Sequence, residues 1–222
     1  MDFSVVWVYK DLFIRGFLNT IFLTSSGILL GLILGLIMGL GKLSKTWFLR
    51  IPAKIYVDIF RGTPLFVQII FIHFAIIPSI FIDLLKTDVP GPMFSGVVAL
   101  TLNSGAYIAE IFRGGIQSID RGQTEAARSL GMTNGQAMKY VIIPQAFKRM
   151  LPPLGNEFIA LLKDSSLLAY IAVNDLAYAG ITAAKSTLIR YPNYITMAAL
   201  YLVLTMVFSQ IVAYLERRFK TE

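Results

Sequence analysis

The chain has 222 residues, of which 56% are hydrophobic and only 15% charged, a balance that argues against a water-soluble globule. It has no cysteine and one histidine, which excludes disulfides, thiol catalysis and metal sites built from cysteine or histidine clusters. The net charge of +7 is typical of basic residues beside membrane spans, and we do not interpret it as nucleic-acid binding.

Long apolar runs recur along the chain, and each is long enough to cross a hydrocarbon core about 30 Å thick. They predict five transmembrane helices, at residues 17–40, 66–82, 93–112, 154–173 and 195–215. The first run lacks the basic start and cleavage pattern of a signal peptide and is expected to stay in place as a span. The predicted fold class is all-α, an integral membrane bundle, with residues 1–222 forming one domain because no linker or repeat interrupts them.

Basic residues are spread unevenly between the spans, and most lie in segments 42–61, 113–149 and 217–220. An excess of Lys and Arg marks the cytoplasmic side of a membrane protein. The expected orientation therefore has the N-terminus outside and the C-terminus in the cytoplasm.

Glycines in the first span recur every four residues, at Gly27, Gly31, Gly35 and Gly39. Such spacing puts them on one face, where a second helix can approach closely. The stripe predicts a packing surface, and its partner can lie in this chain or in a second copy.

Polar residues mark the second span. Asp58 and Arg61 lie on one helical face just before Gly62-Thr63-Pro64, so they are gate candidates, with a local ion pair as the alternative. Gln68 is a candidate pore residue. His73 lies in an otherwise apolar stretch, which favours a packing role over proton transport.

Charged and amide side chains in the third and fourth spans are candidates for substrate binding, because such groups are costly within a membrane. In the third span Asn103 and Ser104 precede a glycine, and the alternative for both is a hydrogen bond between helices. In the fourth span Glu157 and Asp164 lie two turns apart on one face, beside Lys163. The alternative for these three is an internal ion pair that fixes packing.

The segment 113–153 is too polar to insert in the membrane and too patterned to be disordered. A helix is predicted over 123–130, ending at Gly131, and Thr133 with Gln136 predicts a capping box that starts a second helix to about residue 142. Pro144 is expected to open a third helix that ends before Pro152. This helical loop can dock on a partner or pack on the chain's own bundle, and the sequence leaves both alternatives open.

Three sequence blocks resemble a known family. EAARSLGM at 125–132, followed by VIIPQAFKRMLPPLGNEFIALLKDSSL from residue 141, resembles the EAA loop of the membrane-spanning subunits of bacterial ABC importers. FRGTPLFVQ at 60–68 and NSGAYIAEIFRGGIQSI at 103–119 are similar to the polar amino acid uptake permeases, which include histidine, glutamine and arginine systems. The matching blocks span about half of the chain.

The resemblance implies a type I ABC importer permease with a coupling helix that docks on an ATPase. It assigns ATPase coupling to a set of five loop residues, Glu125, Ala126, Ala127, Leu130 and Gly131. Small residues permit close approach, and the glycine sets the angle between two rigid helices.

The resemblance also implies partners: ABC ATPase subunits, an extracytoplasmic substrate-binding protein and a second permease chain, identical or different. No phosphate-loop motif occurs, so the chain is not expected to be an enzyme, and ATP and Mg are expected on the partner ATPase. The implied location is the bacterial cytoplasmic (inner) membrane.

The expected function is ATP-driven import of polar amino acids. Glu157 favours a basic amino acid such as arginine, lysine or histidine, or else holds the α-amino group of any amino acid. Two rivals remain: a proton-coupled secondary transporter using Glu157, Lys163 and Asp164 as a relay, and a membrane scaffold built on the glycine stripe.

Overall fold

The computed structural model describes residues 3–219, which are largely helical and include no strand. The α-helices in this range are α1 Ser4–Val8, α2 Lys10–Leu43, α3 Trp47–Gly62, α4 Leu65–Phe71, α5 Pro92–Gln117, α6 Arg121–Ser129, α7 Asn134–Ala137, α8 Ile143–Asp164, α9 Leu176–Thr187 and α10 Arg190–Phe219. Wider π-helical turns extend α4 over Ile72–Ile76 and Ser79–Leu84 and join α7 to α8 over Met138–Ile142, and a 3₁₀ segment, Ser165–Ile171, continues α8.

Four of the helical segments are long and apolar enough to cross a membrane: Lys10–Leu43, Leu65–Leu84, Pro92–Gln117 and Arg190–Arg218. The bent pair Asn134–Ile171 and Leu176–Thr187, which meet at 47°, adds one more crossing if it counts as a single span. The prediction of about five spans is confirmed. The bent pair corresponds to the predicted fourth span, which is therefore broken rather than straight. Lys220, used in predicting the orientation, lies outside the described residues.

The glycine stripe of α2 packs against α5 of the same chain. A Cβ on Gly31 would overlap the hydroxyl of Ser104, and a Cβ on Gly35 would lie 2.6 Å from Cγ2 of Ile108. Each step of four residues on α2 matches a step of four on α5, so the two helices run in the same direction at close range. The partner that the sequence left open on this face is therefore within the chain.

The bend after the fourth span was not predicted. Ala172 adopts a left-handed conformation with φ of 57°, and the fully buried carboxylate of Asp175 caps α9 by accepting from the backbone N–H of Tyr178 at 2.8 Å. Its second oxygen accepts from the hydroxyl of Tyr201 at 3.1 Å. These contacts fix α9 against α10 and redirect the chain by side-chain hydrogen bonding that no periodicity reveals.

The polar loop differs from its prediction at one end. The helix before Gly131 and the Thr133–Gln136 capping box are present, but the third helix does not stop before Pro152. Instead α8 continues through Pro152 and Pro153 to Asp164. Missing proline N–H donors are tolerated because α8 is held by packing on both sides: Met150 lies against Gly115 of α5 and Gly155 against Val212 of α10. Residues 143–153 thus belong to the same helix as the fourth span.

Candidate functional site

Three adjoining cavities follow the groove between α5 and α8. The break-side cavity, about 450 Å³, is lined by Thr63, Pro64, Leu65, Phe66, Asn103, Tyr107, Glu157, Ala160, Asp164 and Leu167. The central cavity, about 480 Å³, is lined by Arg61, Tyr107, Glu110, Ile111, Pro153, Asn156, Glu157 and Ala160. The loop-side cavity, about 300 Å³, is lined by Glu110, Ile111, Gly114, Gly115, Ser118, Arg149 and Pro153. Neighbouring cavities share lining residues, so together they trace a path from the middle of the bundle to the polar loop.

The side-chain amide nitrogen of Gln68 forms its hydrogen bonds with the backbone and a side chain at the break between α3 and α4. Pro64 has no N–H to donate to the carbonyl of Phe60, and Nε2 of Gln68 donates to that oxygen instead, at 2.8 Å. The same nitrogen also donates to the carbonyl and the hydroxyl of Thr63, at 3.0 and 2.9 Å. Gln68 is 7% exposed and therefore stabilises the break rather than facing any of the three cavities.

Asn103 links this break to the break-side cavity. Its Nδ2 donates to Oε1 of Gln68 at 2.9 Å, and the residue also lines the cavity. Ser104, the next residue, points the other way: it is fully buried and donates to the carbonyl of Gly27 at 3.0 Å. Its contacts support the helix-to-helix hydrogen bond that was the alternative to substrate binding.

The two carboxylates of the fourth span face the groove. Glu157 lines both the break-side and the central cavity, and Asp164 lines the break-side cavity. Within residues 3–219 neither carboxylate forms a hydrogen bond or an ion pair. Lys163 is exposed and lines none of the three cavities.

A cluster of charges lies where α2, α3 and α5 meet. Glu110 accepts from Lys42 at 2.5 Å and from Nη2 of Arg113 at 2.7 Å, and Nη1 of Arg61 lies 3.7 Å away. Asp58 makes no ion pair among the described residues, so the local Asp58–Arg61 pair is not formed. Glu110 and Tyr107 were not named as site residues, although both occur in the 103–119 block and their spacing of three puts them on one face.

The polar loop presents a compact helical turn. Asp120 caps α6 by accepting from the backbone N–H of Gly122 at 2.6 Å, and Gly131 ends the turn with φ of 87°, a conformation that favours glycine. Ala127 is buried beneath the helix, whereas Leu130 is 81% exposed.

The remaining loop residues assigned to coupling, Glu125, Ala126 and Gly131, are also exposed. Arg149 of α8 donates to the backbone carbonyl of Ser118, which ties the loop to the groove. Of the five predicted coupling residues, four are thus exposed and the fifth, Ala127, is buried.

Comparison with known proteins relates the whole chain to membrane transport. Residues 27–221 match the family described as binding-protein-dependent transport system inner membrane component. The glutamine transport system permease protein of Escherichia coli strain K12 is 39% identical over 219 residues, covering 99% of this chain and 98% of that protein.

Solved structures agree with that relationship. The crystal structure of an amino acid ABC transporter with histidines superposes with a TM-score of 0.88 at 42% identity, covering 98% of this chain and 99% of that one. An inward-facing structure of the MetNI methionine ABC transporter has a TM-score of 0.80 at 21% identity, with full coverage of both chains, and supports the fold alone. The predicted type I importer fold is confirmed by these neighbours.

Proposed function

This chain belongs to the family of binding-protein-dependent transport system inner membrane components, and we propose that it is the transmembrane subunit of an ATP-driven importer of polar amino acids, with glutamine as its first substrate to test. The observation that carries the proposal is the end-to-end similarity to a glutamine permease protein, at 39% identity. This relative's name gives glutamine, whereas the amino acid ABC transporter solved with histidines keeps histidine among the candidates. Nothing in the family assignment favours a proton-coupled carrier.

The groove between α5 and α8 is the proposed substrate path. Glu157 is the proposed partner for the α-ammonium group, because its carboxylate faces two cavities and has no protein partner in the described residues. Asn103 and Asp164 are proposed to contact substrate in the break-side cavity. Gln68 supports this site by orienting Asn103, and Lys163 is given no contact with substrate because it lines none of the three cavities.

The surface around Leu130 is the proposed docking site for the ATPase subunit. An exposed leucine, a small alanine and an acidic side chain lie together on a short capped helix, which suits insertion into a groove on a partner. Since α8 runs from this loop into the fourth span without a stop, movement of the docked helix is carried directly to Glu157. ATP and Mg are proposed to bind the ATPase and not this chain.

The proposed assembly contains two permease chains, two ATPase subunits and an extracytoplasmic binding protein that delivers the amino acid. A second chain is expected because the groove is open on one side, and it can be identical or different. The N-terminus is proposed to lie outside and the loop and C-terminus inside, in a bacterial inner membrane, with residues 1–222 acting as one permease domain.

Substrate-stimulated ATP hydrolysis tests this proposal. The purified permease–ATPase complex would be reconstituted in proteoliposomes with its binding protein, and ATP hydrolysis would be measured with glutamine, histidine, arginine and lysine in turn. Glutamine is expected to stimulate hydrolysis most strongly. Stimulation by none of the four would contradict the proposal, and stimulation by the basic amino acids alone would restore the interpretation based on Glu157.

A further inference from the structure

Arg61 presents an unbonded guanidinium to the central cavity. Its side chain is 43% exposed, and its guanidinium carbon lies 5.3 Å from the ring centroid of Tyr107. Its one ion pair within residues 3–219 is the 3.7 Å approach of Nη1 to Glu110, which is too long for a hydrogen bond. All five N–H donors of this group are therefore free of hydrogen bonds to the described part of the chain.

Glu110 does not need Arg61 for charge balance. Lys42 and Arg113 hold the same carboxylate at 2.5 and 2.7 Å, so two cations already face one anion. Arg61 adds a third positive charge at the edge of this cluster. A surplus cation that contacts an aromatic face and is otherwise open is arranged to receive an anion from the cavity.

Glu157 is the complementary group on the opposite helix. It lines the same central cavity and has no ion pair or hydrogen bond in the described residues. A free guanidinium and a free carboxylate thus share one cavity of about 480 Å³ and do not pair with each other. A molecule that carries one negative and one positive group can bridge them.

We infer that Arg61 binds the α-carboxylate of the transported amino acid while Glu157 binds its α-ammonium group, so that the central cavity recognises the zwitterionic head. This inference rests on the proposed function and adds the carboxylate partner that the function lacks. The planar guanidinium matches a carboxylate by two parallel hydrogen bonds, and its carbon lies over the Tyr107 ring, which lines the same cavity. Because Glu157 also lines the break-side cavity, the side chain of the substrate extends towards Asn103.

Arg61 is the last arginine of α3, beside the non-helical link between α3 and α4. Binding of a carboxylate at this residue therefore acts on the end of a helix whose attachment is held by the amide of Gln68. An amino acid without its carboxylate would lose the contact with Arg61 and, with it, any effect on the break between α3 and α4.

Equilibrium binding of radiolabelled ligands to the purified permease–ATPase complex, without the binding protein, tests the inference. The ligands are glutamine, glutaminamide, whose carboxylate is replaced by an uncharged amide, and N-acetylglutamine, whose ammonium is removed. The variants are Arg61→Gln, Arg61→Lys and Glu157→Gln. The matched control is Arg50→Gln, which removes an exposed arginine of the same helix that has no ion pair in the described residues.

Wild-type protein is expected to bind glutamine at least tenfold more tightly than glutaminamide, about the effect of one charged hydrogen-bonding partner. Arg61→Gln should abolish that preference, weakening glutamine and strengthening the cationic glutaminamide, while Arg61→Lys retains part of it. Glu157→Gln should remove the preference for glutamine over N-acetylglutamine instead. The control should bind like wild type.

Two results would overturn the inference while leaving the proposed function in place. One is equal binding of glutamine and glutaminamide by the wild type, and the other is an unchanged preference in Arg61→Gln that still co-elutes with the ATPase. If Arg61→Gln fails to assemble, Arg61→Lys decides, since a preference as large as that of wild type contradicts bidentate recognition. Failure of the wild type to bind glutamine would also overturn the inference, whereas the proposed function fails only if no amino acid stimulates ATP hydrolysis in the presence of the binding protein.

Discussion

Asn103 donates a 2.9 Å hydrogen bond to Gln68, and through it α5 is tied to the break between α3 and α4. Gln68 in turn supplies the donor that Pro64 cannot give to the carbonyl of Phe60. One buried amide pair thus stabilises an irregular piece of backbone and orients a residue that lines the break-side cavity. An irregular backbone within a membrane persists only when its polar groups are satisfied in this way.

Replacing Gln68 with methionine is expected to lower the free energy of unfolding by about 1–3 kcal/mol, because the carbonyl of Phe60 and the amide of Asn103 lose their partner. Thermal unfolding of the purified variant measures the effect. The control is Gln210→Met on α10, where the glutamine is exposed and has no hydrogen bond in the described residues. Equal melting temperatures for the two variants would contradict the role assigned to Gln68.

Replacing Gly31 with alanine is expected to separate α2 from α5. The new methyl group would overlap the hydroxyl of Ser104, and overpacking of this kind costs about 1–3 kcal/mol. Gly114→Ala on α5 is the control, since a Cβ there has no neighbour within 4 Å. The melting temperature should fall by several degrees for Gly31→Ala alone. A fall of the same size in the control would show that the glycine stripe is not the packing surface.

The sequence predicted the parts of the fold that depend on local pattern. Apolar runs located the spans, and the Thr133–Gln136 pair located a helix start, because both signals lie within a few residues of one another. The continuation of α8 through Pro152 and the bend before α9 were not predicted. The first depends on packing of α8 against Gly115 of α5, and the second on the hydrogen bonds of the buried Asp175. Local rules cannot report contacts across the bundle.

The candidate site was predicted in part for the same reason. Glu157 and Asn103 were identified because polar groups within a membrane span are conspicuous, and both line the groove. Ser104 was equally conspicuous, yet it faces α2, and only the register of the two helices distinguishes it from its neighbour. Arg61 was expected beside Asp58, and its approach to Glu110 depends on an α3–α5 contact that separation along the chain conceals.

Replacing Leu130 with aspartate is expected to weaken association with the ATPase subunit by at least tenfold without changing the stability of the permease. The side chain is 81% exposed, so its loss removes no internal packing, while a charge in a partner's groove is costly. Leu188→Asp is the matched control, because that leucine is 84% exposed and lies after α9. Co-elution in size-exclusion chromatography measures association. Equal retention of the ATPase by both variants would place the docking surface elsewhere.

Replacing Glu110 with alanine is expected to cost about 2–3 kcal/mol, somewhat less than for a fully buried ion pair, because Lys42 and Arg113 lose their shared partner. Asp58→Ala, which breaks no ion pair among the described residues, should leave the melting temperature nearly unchanged. Denaturation of the two variants side by side measures the difference. A stable Glu110→Ala protein would show that this cluster does not hold α2, α3 and α5 together.

Uptake in proteoliposomes shows directly whether this chain is the membrane subunit of an ATP-driven amino acid importer. The tagged chain would be purified in mild detergent with its co-expressed partners, reconstituted, and supplied with labelled glutamine and a binding protein on one side and ATP on the other. We expect a co-eluting ATPase, and uptake that requires ATP and persists when the proton gradient is abolished. Uptake by the chain alone, driven by a proton gradient and indifferent to ATP, would contradict it.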